Sequence, residues 1–148
     1  IGDLAGPMAF AILMGSSRAF YGKFGDKINL ERFMQYSAVL CMVSYLMIAF
    51  IPVPALGILG CAVCGLSVGI MWPGTFSMAA ASVKRGGTAL FALLALAGDV
   101  GCSSGPTYVG MISGALNDNL KLGIFAALIF PVLMIMGIKM IGSLQKYD

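Results

Sequence analysis

Asp99, Ser103 and Thr107 are the residues here whose types and spacing could do chemistry. They stand four apart, so on a helix they share one polar stripe two turns long. Their surroundings are apolar: residues 88–98 are almost all apolar or small, and Val109 to Ile112 follow. Asp99 lies roughly 17 Å along such a helix from Thr88, near the middle of a membrane span. A carboxylate at that depth costs at least about 2.5 kcal/mol and faces a cavity or a partner. It could bind a solute or load and release a proton. Equally, it could be structural, paired with a basic residue or hydroxyl of another helix. Pro106 is expected to bend the helix and free a carbonyl near Cys102.

Few other groups invite chemistry. Trp72, the one tryptophan, stands beside Pro73; it could stack on a sugar ring, close a gate or fill a packing gap. Arg18, after Ser16 and Ser17, either lines the cytoplasmic half of a cavity or simply snorkels. It stands close to the cytoplasmic end of its span, too shallow to pair with Asp99 without bending. Cys61 and Cys64 form a C-x-x-C, but with no histidine and no βαβ context it reads as small buried side chains. There are no paired carboxylates and no nucleotide-binding loop, and "GCSSGP" lacks the spacing and base of a nucleophile elbow. No enzyme, metal or cofactor is expected.

The elements that must position these residues follow from composition. The chain is 59% hydrophobic and 10% charged, against about 25% charged in soluble domains. That excludes an ordinary soluble fold and implies an all-α, polytopic membrane bundle. Five segments suit a span: 4–21, 33–51, 55–83, 88–115 and 120–141. A charged loop, a Pro-Val-Pro break, a basic turn at Lys84-Arg85 and a polar turn at 116–119 separate them. The chain begins at Ile1 with no basic region before its first apolar run. A piece of a longer protein is therefore expected, not a signal peptide.

The spans differ in kind. The second and fifth are rich in Leu, Ile, Met and Phe, as befits helices facing lipid. The third carries Gly57, Cys61, Gly65, Gly69 and Pro73 at four-residue spacing, a stripe that admits close backbone approach. Gly98, Gly101, Gly105, Gly110 and Gly114 repeat the device in the fourth. The third and fourth spans are thus expected to form the packed interior, through Gly65, Gly69, Gly101 and Gly105.

The loop "GKFGDKINLE" at 22–31 resembles the cytoplasmic loop signature of the major facilitator superfamily, G-x-L-a-D-[RK]-x-G-[RK]-[RK]. Gly22, Gly25, Asp26 and Lys27 match in register, with Phe24 in place of leucine, whereas Asn29, Leu30 and Glu31 depart from the pattern. Gly22 is expected to end a helix, Asp26 to offer its carboxylate to a helix N-terminus or basic partner, and Lys27 to tether to the anionic leaflet. The alternative is a charged loop that merely obeys the positive-inside rule. The resemblance implies spans eight to twelve of a twelve-span transporter, an incomplete C-terminal domain partnered by an N-terminal half. "GIMWPGTF" and "GDVGCSSGP" look like spans ten and eleven near the sugar-permease-like bacterial branches.

A secondary transporter of a small organic solute is therefore expected, working by alternating access in the cytoplasmic membrane, with proton coupling left open. The pathway residues would be Asp99, Ser103, Thr107, Trp72 and Arg18. The alternative is a channel or a non-transporting helix bundle. The partners would be the bilayer, the other half of the protein, the solute and protons, with no nucleic acid.

Arg18, Lys23, Lys27, Arg32, Lys84, Arg85, Lys139 and Lys146 fall on one side of alternating spans, and only Lys121 on the other. By the positive-inside rule the N-terminus is outside and the C-terminus cytoplasmic. In intact cells, a lone cysteine at position 117 should react with a membrane-impermeant maleimide and one at 27 should not, once the native cysteines are replaced. Strong labelling at 27 would reverse the assignment.

Overall fold

In the computed structural model, residues 2–83 and 86–144 are described, without the side chains of Asp3, Asp26 and Leu144. Lys84, Arg85 and Lys146, which carry part of the charge asymmetry, and the Asp26 carboxylate lie outside the described residues. The described chain is all helical: α1 (Gly2–Phe24), a 3-10 turn (Gly25–Lys27), α2 (Leu30–Phe50), α3 (Pro54–Val68), α4 (Met71–Ser82), α5 (Gly87–Ala115), α6 (Leu120–Ala126) and α7 (Ile129–Leu144). Four stretches are long and apolar enough to cross a membrane: 30–50, 54–82, 87–115 and 120–143. The 23-residue α1 is also long enough, but Ser16, Ser17 and Arg18 dilute its apolar content.

Local chemistry explains most boundaries. Gly22 does not end α1, which runs on to Phe24; the chain turns instead at Gly25, whose α-carbon lies against the Tyr21 ring. α2 is capped by Asn29, whose side chain accepts from the Arg32 N–H at 3.1 Å. Pro54 opens α3, where its missing N–H costs nothing. Asn117 and Asp118, both at positive φ, turn the chain after α5, a conformation those two residue types tolerate better than most.

The hydrogen-bond ladder of the third span is interrupted, although Gly69 and Ile70 keep helical dihedrals. Gly69 and Ile70 separate α3 from α4, because Pro73 has no N–H to give the Gly69 carbonyl. The fifth span breaks likewise at Ala127 and Leu128, four residues before Pro131. α5 passes through Pro106 without interruption.

α1 and α3 lie side by side and parallel. A Cβ at Gly65 would overlap the Phe10 backbone, and one at Gly69 would stand 2.8 Å from the Met14 carbonyl oxygen. Gly6 of α1 approaches Cys61 of α3 in the same register. Gly57, in the first turn of α3, meets nothing.

Two expectations about the spans are corrected. The second span is not solely a lipid-facing helix: one side of α2 exposes Val39, Val43 and Phe50, but the rest packs against α3, α4, α6 and α7, at the centre of the bundle. It buries Met34, Ser37, Ala38, Cys41, Ser44 and Ala49. Met34, Ser37, Cys41 and Ser44 recur at three- and four-residue intervals with Ala38 beside them, so serine, alanine and cysteine form the close-packing stripe that glycine forms elsewhere. Its buried Ser44 hydroxyl donates to the Cys41 carbonyl at 2.8 Å, and Ser67 of α3 does the same to Cys64 at 2.7 Å. Conversely, α5 is the most exposed long helix, with Ser113 its one buried residue. A Cβ on Gly101, Gly105, Gly110 or Gly114 would meet nothing within 4 Å, because α6 and α7 reach this part of α5 at Tyr108, Val109 and Ser113 instead.

Gly65→Ala is expected to lower stability by about 1–3 kcal/mol, since the Phe10 backbone cannot yield as a side chain could. Gly57→Ala on the same helix should change it by less than about 0.5 kcal/mol. Thermal unfolding of both variants in bicelles measures the difference; equal midpoints would contradict the α1–α3 contact.

Candidate functional site

Asp99 lies near the middle of the 29-residue α5. Around this helix Leu90, Leu94, Gly98, Gly105, Val109 and Ile112 are half-buried, so they define the face that meets the bundle. Asp99, Ser103 and Thr107 are exposed and turn away from it. With Val100, Ser104, Tyr108 and Met111 they line an open groove of about 610 Å³. Every lining residue belongs to α5, so the groove is one face of one helix and not an enclosed cavity.

The hydroxyls of the stripe bond along their own helix. Ser103 donates to the Asp99 carbonyl at 3.0 Å and Thr107 to the Ser103 carbonyl at 2.8 Å. Their lone pairs stay available as acceptors facing the groove. Among the described residues, no group hydrogen-bonds or ion-pairs with the Asp99 carboxylate.

Trp72 is joined to this region through Gly98. A Cβ on Gly98 would collide with the six-membered part of the Trp72 ring, so the glycine is what lets α5 rest on α4. Trp72 packs against Phe76 at 4.7 Å between centroids, and Phe76 stacks on Phe91 of α5 at 5.7 Å. At the other end of α5, Tyr108 meets Phe130 edge-on, and the Val109 backbone approaches Gly123. Trp72 also borders a cleft of about 350 Å³, lined with it by Thr75 of the same helix and by Cys41 and Tyr45 of α2. Trp72 thus separates an interior cleft from the helix that carries Asp99.

Arg18 is deeper than its position in α1 suggests. Its Nε donates to the Gly69 carbonyl oxygen at 3.3 Å, near the middle of the 54–82 span. No described ion pair joins it to Asp99. Just beyond, the Tyr21 hydroxyl donates to Ser77 Oγ at 3.5 Å, tying α1 to α4. Gly25 and Lys27 lie in the 3-10 turn at the end of α1, away from these contacts, and Lys27 is exposed.

The cysteines make no common centre. Cys61 approaches Gly6 of α1, Cys41 and Cys64 are buried on α2 and α3, and all four thiols are free. No cluster of three metal-ligating side chains occurs among the described residues. Composition and spacing led directly to Asp99 and its stripe. They missed the Gly98–Trp72 seat, whose only sequence signal was a small residue beside the carboxylate.

No protein-family model matches the chain, and neither the curated proteins nor the solved structures contain a significant match to it.

Gly98→Ala is expected to displace the Trp72 ring and shift its emission, taken as the component lost in Trp72→Phe. Gly101→Ala, in open space, should leave that emission unchanged. An unaltered spectrum in both variants would show that the ring does not rest on Gly98.

Proposed function

We propose that this chain is part of a secondary active transporter for a small organic solute, and that the Asp99 face of α5 borders the transport path. One observation carries the proposal: an unpartnered carboxylate halfway along an apolar helix, on the side turned away from its own bundle. Hydrocarbon is a poor environment for that face, at a cost of about 2.5–3.5 kcal/mol for aspartate at mid-depth. Water in a cavity, or a second helical body across it, would remove the cost. Alternating access supplies both, because two bodies rock about a water-filled site near the membrane midplane.

The loop at Gly22, Gly25, Asp26 and Lys27 adds to this reading through its likeness to the major facilitator signature. On that likeness, α1 to α7 correspond to spans eight to twelve, and an N-terminal half lies across the groove. The basic ends then face the cytoplasm, and the protein resides in the cytoplasmic membrane. Ser103 and Thr107 extend the acceptor surface from Asp99 toward one end of the path, while Trp72 forms the wall behind it. Asp99 either binds the solute or carries a proton with it; the same carboxylate chemistry serves both.

Asp99→Asn keeps shape and hydrogen bonding but removes the titrating proton. In proteoliposomes of the intact protein, offered a panel of labelled sugars and organic acids, the variant should lose accumulation driven by a pH gradient by about tenfold or more, the equivalent of one 1.4 kcal/mol step. Substrate exchange should persist, because exchange needs no net proton movement. Normal accumulation at every pH would remove the coupling role. Unchanged substrate affinity as well would make Asp99 a structural residue, facing a helix and not a path.

A further inference from the structure

We infer that Arg18 is a positioning residue: its guanidinium replaces the backbone donor that Pro73 lacks, and so holds the break in the third span and the Trp72 wall beside Asp99. In an unbroken helix the N–H of residue 73 would bond the Gly69 carbonyl. Proline has no N–H, so that oxygen is left without its helical partner at mid-span, where hydrocarbon offers no donor. Among the described residues no backbone N–H reaches it, and Arg18 Nε does, at 3.3 Å.

The second proline break makes the point by contrast. Pro131 likewise deprives the Ala127 carbonyl of its helical partner, but there the Phe130 N–H closes in at 3.1 Å. That break is repaired within its own helix. The Gly69 break is repaired from α1, and only because Gly69 lets α1 come close: a Cβ there would stand 2.9 Å from the Ser17 Cβ. From α1, four helices before the one that carries Asp99, Arg18 thus reaches the carbonyl at the junction of α3 and α4. Trp72 is three residues beyond the bonded carbonyl, and its ring seats Gly98, the neighbour of Asp99.

This chain of contacts holds whatever the protein does; only the consequence for Asp99 rests on the transport proposal. The logic can be tested without a substrate, because Pro73→Ala restores the missing N–H. The intact protein is labelled with 5-fluorotryptophan in nanodiscs, and the Trp72 resonance is assigned by its loss in Trp72→Phe. Arg18→Gln should shift that resonance and lower the unfolding midpoint by roughly 2–4 °C. In the Pro73→Ala background, where the carbonyl has a backbone donor again, the same substitution should have less than half that effect on both. Should Arg18→Gln alone yield no folded protein, the double variant is expected to recover it. Additive effects in the two backgrounds, or failure of the double variant to recover fold, would overturn the inference. An Arg18→Gln protein with an unmoved Trp72 resonance would do so as well. Transport-negative behaviour of Asp99→Asn bears on none of these outcomes, so the two proposals can fail separately.

Discussion

Hydrocarbon donates and accepts nothing, so each backbone N–H and C=O in a spanning segment has to be satisfied within the protein. That constraint organises this bundle more than apolar burial does. A regular helix meets it automatically, but Pro7, Pro73, Pro106 and Pro131 each remove a donor inside a helix, and near two of them, Pro73 and Pro131, the helix is interrupted. At Ala127 the chain tightens locally and the Phe130 N–H takes over. At Gly69 the repair comes from another helix, and α1 has to lie against α3 for Arg18 to deliver it. The glycines at 65 and 69 are the condition for that approach, since their faces meet α1 almost backbone to backbone.

Small side chains settle which helices approach closely, though not always as glycine. α2 uses Ser37, Ala38, Cys41 and Ser44 for the same purpose and ends at the centre of the bundle. A buried serine is acceptable there because its hydroxyl donates to a carbonyl of its own helix, as Ser44 does to Cys41. Cys41 and Cys64, both buried, are small polarizable packing groups on α2 and α3. α5, rich in glycine, meets the rest of the bundle through Trp72, Phe76, Phe130 and α6.

The exposed side of α5 is therefore of a different kind from the rest of the surface. Elsewhere the large exposed side chains are mostly Leu, Val, Met and Phe, which suit lipid, with Ser16, Arg18 and Ser77 among the exposed polar residues. On α5 the exposed face carries Asp99, Ser103, Ser104 and Thr107 among its apolar residues. Its glycines leave open space where a helix or a column of water could lie. The proposed transport path is the arrangement in which such a face is an asset rather than a cost.

Sequence alone determined the membrane class, the spans within a few residues, the turns between them and the polar stripe on the fourth span. Each depends on local quantities: apolar length, proline and glycine positions, and the four-residue spacing of Asp99, Ser103 and Thr107. The close approach at Gly65 and Gly69 was also legible, because no side chain but hydrogen permits it. The central place of α2, the exposure of α5 and the partner of Arg18 were decided by tertiary structure. The physical reason is that lipid tails and neighbouring helices are equally apolar. A leucine-rich helix looks the same to the sequence whether it meets lipid or protein. Likewise a glycine stripe permits an interface without saying which helix will fill it. Arg18 could be assigned only once α1 and α3 were side by side, because the carbonyl it serves was vacated by a proline 55 residues away.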